Sequence, residues 1–347
     1  MRFAIGYQLP GDYGSITEIA AAYGDAVAEV YFALPAEASG RAPLGLDDEW
    51  SVDEAWEILG SELNELSQMG VAAVLLLNSS CYGAEAMSLA LEERVRRGVA
   101  LVERFAPLAA VTTTSLAIAR QFKREYPGIE VRASVNMRVG TIAAMEHLAD
   151  SFDGYYLKRE LNRSPSQISA LKAWCDARGK SLHLLANSGC LHDCAYQTFH
   201  DNLVAHEAEA RLQPGRPLVY PAPCWEFLEN PERWPWLLRN CWIRPEDLHH
   251  YEAWFSTVKL ATRVHPRPQK VLGAYVRGRY HGNVLDLLEP GHSALPGMPY
   301  LDNNRFPADW YERTADCGHH CESCGFCAEV FRLISDEGDA APPGTGG

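Results

Sequence analysis

Short apolar runs recur along this chain, separated by longer stretches in which apolar residues return every three or four positions. The runs fall at residues 3–7, 29–33, 72–77, 109–113, 130–135, 154–158 and 182–186. Their continuous rather than alternating apolar character predicts strands buried on both faces, as in a parallel sheet. Between them, 52–69, 91–105, 115–126, 141–149 and 166–178 have helical spacing, several entered through a Ser, Thr or Asp cap. An eighth strand is placed at 257–261, after a helix-like stretch at 245–255. Eight β-then-α units predict an α/β fold of the (β/α)8, TIM-like barrel type. The competing open doubly wound sheet lacks support, because no GxGxxG follows the first strand.

Most strand-to-strand intervals run about twenty to forty-five residues, but about seventy separate the seventh from the eighth. A barrel domain over 1–288 therefore carries a long insertion after strand 7, at about 187–256, on the face where barrels of this kind build active sites. A closing helix is expected at 270–288, then a Cys-rich extension at 289–335 and a disordered Pro/Gly tail at 336–347.

The chain has 347 residues, 31 basic against 45 acidic side chains and a net charge of −14. That balance opposes contact with phosphate backbones, so the expected partner is a small-molecule substrate, with a protein partner or electron donor beside it, and not nucleic acid. No apolar run is long enough for a signal peptide or a membrane span, which predicts a cytoplasmic protein with no membrane contact. In a reducing compartment, ten cysteines are better read as metal ligands or reactive thiols than as a disulfide framework.

The cysteines fall into two sets. CGHHCESCGFC places Cys317, Cys321, Cys324 and Cys327 in one short run. Four thiolates so close suit tetrahedral zinc or a four-iron cluster; the unbroken run with short gaps favours iron–sulfur over zinc, which stays the alternative. His319 and His320 are expected beside the site or at the surface. The first three cysteines also fit the radical S-adenosylmethionine pattern, but Ser323 stands where that signature has an aromatic residue. The second set is dispersed: Cys190 and Cys194 in NSGCLHDCAYQTFHDN, Cys224 in PAPCW and Cys241 in RNCWI. Spacing alone leaves open whether these share a site or are buried as small apolar groups, the role assigned to Cys81 and Cys175.

Several stretches, in order, resemble the collagenase-like peptidase family, peptidase family U32, which includes a ubiquinone-pathway hydroxylase pair and RNA hydroxylation proteins. Ser134-Val-Asn-Met is similar to that family's Ser-Thr-Gln-Met, and Tyr156-Leu-Lys-Arg-Glu-Leu to its Ala-Arg-Glu-Leu. The stretch from Asn240 through Lys259-Leu-Ala-Thr-Arg263 to Tyr275 is similar to its Asp-Leu-Cys, Lys-Ile-Glu-Gly-Arg and Tyr positions. The resemblance implies a 4Fe-4S cluster on Cys190, Cys194, Cys224 and Cys241, and oxygen-independent hydroxylation, with prephenate the oxygen source in some relatives. It departs from the family at Ala261 and Thr262, where the family has Glu and Gly, and in the additional C-terminal quartet.

On a barrel, Asn78, Asn136, Arg159, Glu160 and Asn187 fall at strand ends on the active-site face. Arg159 is a candidate for gripping a carboxylate, or alternatively for an ion pair with Glu160 or Lys259, and Glu160 for general-base work. His200, beside the dispersed cysteines, and Lys259 complete the catalytic candidates; Asn136 and Asn187 are the cofactor-binding ones. The expected activity is iron–sulfur redox modification of a small molecule, with one cluster or two. Its rivals are a peptidase, for which no GxSxG, HExxH or Cys–His pair outside the metal-like sets is evident, and a non-catalytic electron-transfer subunit.

Overall fold

A computed structural model describes all residues except 38, 42–43, 45–49, 212–222 and 337–347. The tail expected at 336–347 thus lies, but for its first residue, outside the described residues. Eight parallel strands form one sheet: β1 Arg2–Gly6, β2 Val27–Ala33, β3 Ala72–Leu77, β4 Leu108–Thr113, β5 Glu130–Ala133, β6 Gly154–Tyr156, β7 Ser181–His183 and β8 Thr257–Lys259. Their order is sequential, and β8 returns beside β1. The circle closes at a bridge between Leu185 and Lys259, where Lys259 N–H donates to Leu184 O at 2.9 Å and Ala186 N–H to Lys259 O at 3.0 Å. The expected (β/α)8 barrel is the observed fold.

The outer helices are α1 Ile16–Tyr23, α2 Val52–Gln68, α3 Leu89–Val102, α4 Leu116–Glu125, α5 Ile142–Leu148 and α6 Pro165–Asp176. Ser15 with Glu18 and Ser51 with Glu54 form capping boxes at the starts of α1 and α2, satisfying amides that the first turn leaves without partners. The insertion carries α7 Gln197–Ala205, α8 Glu207–Arg211 and α9 Pro223–Leu228; after the barrel come α10 Pro268–Arg277, α11 Trp310–Thr314, α12 Cys321–Cys324 and α13 Phe326–Ile334. The helix expected at 270–288 ends early because Gly278, at φ +62°, caps α10, and the chain then makes a separate short 3₁₀ turn at Val284–Leu287. No described helix is long and apolar enough to cross a membrane.

Alternate strand residues divide between two environments. Phe3 and Ile5 join the core between sheet and helices, whereas Ala4 joins Tyr31, Val74, Leu76 and Ala110 in a separate cluster. The lower half of the barrel is charged. Arg132 forks onto Glu29 through Nη1 and Nη2 at 2.7 and 2.9 Å and donates to Glu130 from Nε at 2.9 Å. His183 Nε2 lies 2.8 Å from Ser181 Oγ.

The insertion and the C-terminal extension, distant in sequence, share a second apolar core that includes Leu228, Leu237, Leu238, Trp242, Trp310, Phe326 and Phe331. Arg163 fastens this core to the barrel. Its guanidinium donates to Leu238 O at 2.7 Å and twice to Trp242 O, and lies over the Trp242 and Trp310 rings.

One polar group on the barrel wall gives a stability prediction. Glu62 sits on the buried face of α2, facing the Tyr7 hydroxyl without reaching hydrogen-bond geometry. Burial raises its pKa, which the Tyr7 interaction only partly offsets. A carboxyl whose folded pKa is raised contributes fully below its unfolded pKa and loses that contribution as pH rises through the folded value. Glu62→Gln is therefore expected to raise the melting temperature by a few degrees at about pH 8, with the gain vanishing near pH 4.

Candidate active site at the barrel mouth

The chain beyond β7 builds the C-terminal mouth of the barrel. Ser188 pairs with Glu289 as in a parallel sheet, and Gly189 packs so closely on the following residues that a Cβ there would lie 2.4 Å from Pro290 O. Gly189 O accepts from Asn240 Nδ2 at 3.0 Å and lies 2.7 Å from His292 Nε2. Cys190 leaves this clamp next to the cysteines expected to join it.

The four thiols interact through space. Cys190 raises the pKa of Cys194, Cys224 and Cys241, and Cys194 raises that of Cys224. Burial is the larger cause in each case; it pushes Cys224 up to about 12 and Cys241 well above the ordinary thiol value. Burial that disfavours the thiolates of Cys194, Cys224 and Cys241 is offset by a cation, whose binding deprotonates such ligands. As placed, no three His, Cys, Asp or Glu side chains among the described residues converge tightly enough to hold a metal ion. The donor chemistry fits a thiolate-bound metal or cluster.

The second quartet behaves similarly. Cys317, Cys321, Cys324 and Cys327 line a cavity of about 260 Å³ with Arg239 and Phe326. Burial raises Cys327 to about 11, with Arg163 opposing and Cys317 and Cys321 adding to the rise. The two sets are neighbours: His192, between Cys190 and Cys194, stacks on His319, between Cys317 and Cys321, at 4.0 Å between ring centres. Arg163 acts electrostatically on both Cys241 and Cys327.

Next to Cys190 stands a cationic group. Arg41 Nε donates to Glu289 at 2.9 Å, and Glu289 and Cys190 hold the Arg41 charge against the cost of burial. Arg263 is lowered to about 10 by burial and then by Arg41, and its Nη1 finds no acceptor among the described residues. Arg159 Nη2 donates to Asn136 Oδ1 at 2.8 Å while its buried Nε finds no acceptor. The ion pair weighed for Arg159 is not seen among the described residues; Glu160 instead faces Lys158 at 3.9 Å. His200 is lowered by burial first and Arg41 second.

Lys259, the last residue of β8, projects between aromatic rings, with Nζ 3.7 Å from the Tyr31 ring centre and 5.0 Å from that of Tyr156. Burial, reinforced by Arg263, lowers it to about 7, so it can gain or lose a proton near neutrality. Asn187, expected to touch a cofactor, has its amide occupied by backbone: Nδ2 donates to Ala261 O and Leu287 O, and Oδ1 accepts from Ala261 N–H at 2.6 Å. It ties the mouth together. Asn78 Oδ1 accepts from Gly40 N–H at 3.0 Å and Asn136 stays with Arg159.

Arg41, Arg263 and Glu289 were absent from the sequence-derived site. Arg41 and Glu289 come from loops without a strand signal, whereas Arg263 follows β8 and its place was available in the motif that contains Lys259. Cys175 is buried in α6, as expected for a packing residue. Cys81 is not: it is partly exposed and lines a cavity with His206.

Fold and mouth together define a (β/α)8-barrel protein with a thiol-rich, cationic C-terminal face. No family model matches the chain. It is 24% identical over 310 residues, 87% of each chain, to an uncharacterized protease of Methanocaldococcus jannaschii. The solved structure of the U32 peptidase Mk0906 superposes with a TM-score of 0.51 at 16% identity, covering 75% of this chain and 92% of that one. The structural match shows a shared fold.

Proposed function

We propose that this barrel is an iron–sulfur oxidoreductase that binds a carboxylate-bearing small molecule at its C-terminal mouth and modifies it, with oxygen-independent hydroxylation the favoured chemistry. The observation that carries the reading is that Glu289, which holds Arg41 of the cationic group at 2.9 Å, is bridged to Ser188 and accepts from Gly189 N–H at 2.9 Å, directly before Cys190. Cys190, Cys194, Cys224 and Cys241 would hold a 4Fe-4S cluster, which when bound supplies one-electron chemistry at the mouth. Cys317, Cys321, Cys324 and Cys327 would hold a second cluster or a zinc ion.

The chain's own side chains have distinct tasks in this reading. Arg263 and Arg159 offer donors to a carboxylate, and Asn136 fixes the Arg159 fork. Glu289 keeps Arg41 in place without neutralising the whole group. Lys259 exchanges a proton at Nζ, with Tyr31 and Tyr156 setting its position, while Glu160, near Cys241, and His200, near Arg41 and Arg159, are further proton carriers. The apolar core shared by insertion and extension packs against Cys194, Cys224 and Cys327, lowering the polarity around them.

Both relatives bear peptidase names, which makes hydrolysis the competing reading. At the mouth, burial raises the pKa of Cys194, Cys224 and Cys241, the reverse of what an activated nucleophile requires. Titration of the anaerobically purified protein with prephenate, a dicarboxylate, tests the substrate class. Saturable binding is expected, weakened about tenfold or more in Arg263→Met and in Arg159→Met at unchanged iron content. Equal binding by all three proteins would remove the carboxylate reading.

A further inference from the structure

Away from the thiol-lined mouth, an open cavity of about 550 Å³ lies where the loop after β3 meets the end of α7. Cys81 and His206 both line it. We propose that Cys81, His206 and Glu209 form a second, metal-independent reactive centre, a thiolate nucleophile that attacks the carbonyl of a neutral or basic ester or amide. This centre is independent of any iron–sulfur reading of the mouth.

The geometry has the parts that nucleophilic thiol chemistry needs. Gly83 N–H donates to Cys81 Sγ at 3.3 Å, and His206 lines the same cavity, its Cε1 3.9 Å from where a Cβ on Gly83 would stand. Glu209 Oε2 lies 3.2 Å from His206 Nδ1, one turn further along, orienting the ring and supporting its charged form. The loop is held from several sides: Ser79 Oγ donates to Cys81 O at 2.8 Å, and Tyr82 Oη to Leu77 O at 2.6 Å. Gly83 adopts φ +56°, a conformation that favours glycine, as it presents its amide to the sulfur. These contacts lower the Cys81 pKa, the Gly83 amide most and His206 next, and Cys81 in turn is the main cause raising His206. Both shifts favour the thiolate and the charged imidazole, the opposite direction from the buried thiols at the mouth.

The other charges facing the cavity are Glu37, Glu85 and Arg94, with Arg94 Nε 3.2 Å from Glu37 and Nη1 on Glu85. With Glu209 the rim is acidic, which disfavours anionic substrates and separates this centre from the cationic mouth. In the reaction, Sγ forms a bond to the carbonyl carbon and the C–O or C–N bond breaks. The leaving group takes the proton that His206 received from the thiol. Water then adds to the thioester, passes a proton to His206, releases the carboxylic acid and restores the thiol.

The probe is p-nitrophenyl acetate, given at pH 7 to the anaerobically purified full chain and followed by nitrophenolate release and peptide mass mapping. An acetyl group is expected on Cys81, forming and then clearing with continued turnover. Cys81→Ser should lose the adduct, and His206→Ala should form it about 100-fold more slowly. Glu209→Gln should slow it less, and all three variants should keep the parent's iron content and melting temperature. Failure to find the acetyl on Cys81, or an equal rate of Cys81 acetylation in the His206→Ala variant, would overturn the proposal.

Discussion

Arg132→Leu is expected to cost about 3–5 kcal/mol of folding stability, read from urea denaturation at neutral pH. The reason lies in what remains. Arg132 neutralises Glu29, against whose charge burial acts most strongly, and Glu130, also disfavoured first by burial and rescued by His183 and Arg132. Both carboxyls are nonetheless held below their ordinary values in the intact network. Groups with depressed folded pKa values contribute stability above their unfolded pKa and lose it as pH falls. The gap between the parent and Arg132→Leu should therefore narrow as pH drops toward about 4, where the orphaned carboxyls take up protons. A gap that stays constant with pH would show that packing, not charge, is the cause.

Arg163→Met should have the second large effect, about 2–4 kcal/mol, because it leaves the Leu238 and Trp242 carbonyls without their buried donor. Its consequence extends beyond stability. Arg163 joins the barrel to the core shared by insertion and extension and acts on Cys241 and Cys327 alike. On the proposed function, its loss should lower iron content at both quartets, whereas a stability loss with full iron content would confine Arg163 to packing.

The barrel was legible because parallel strands buried on both faces write themselves as continuous apolar runs. Residues 72–77 are β3 to the residue, and the other strands differ only at their ends. The seventh was expected to reach Ala186 but stops at His183, since the following backbone turns to Lys259 to close the circle. Both cysteine sets were named from the sequence. Their adjacency was not, because His192 and His319 meet only through a core assembled from segments far apart in the chain. Cys81 was read as a packing residue for the same reason: its partner His206 arrives from the insertion, and no local pattern links the two. Glu289 and Arg41 belong to loops, whose sequence encodes little about where they land.

Iron, acid-labile sulfide and zinc in the anaerobically purified protein, measured beside Cys241→Ala and Cys317→Ala, bear most directly on the proposed cluster at the mouth. The predicted result is about four irons with matching sulfide lost in Cys241→Ala, from a parent holding about four or about eight according to whether Cys317, Cys321, Cys324 and Cys327 bind zinc or a second cluster. Zinc without sulfide in the parent, or full iron and sulfide in Cys241→Ala, would contradict it.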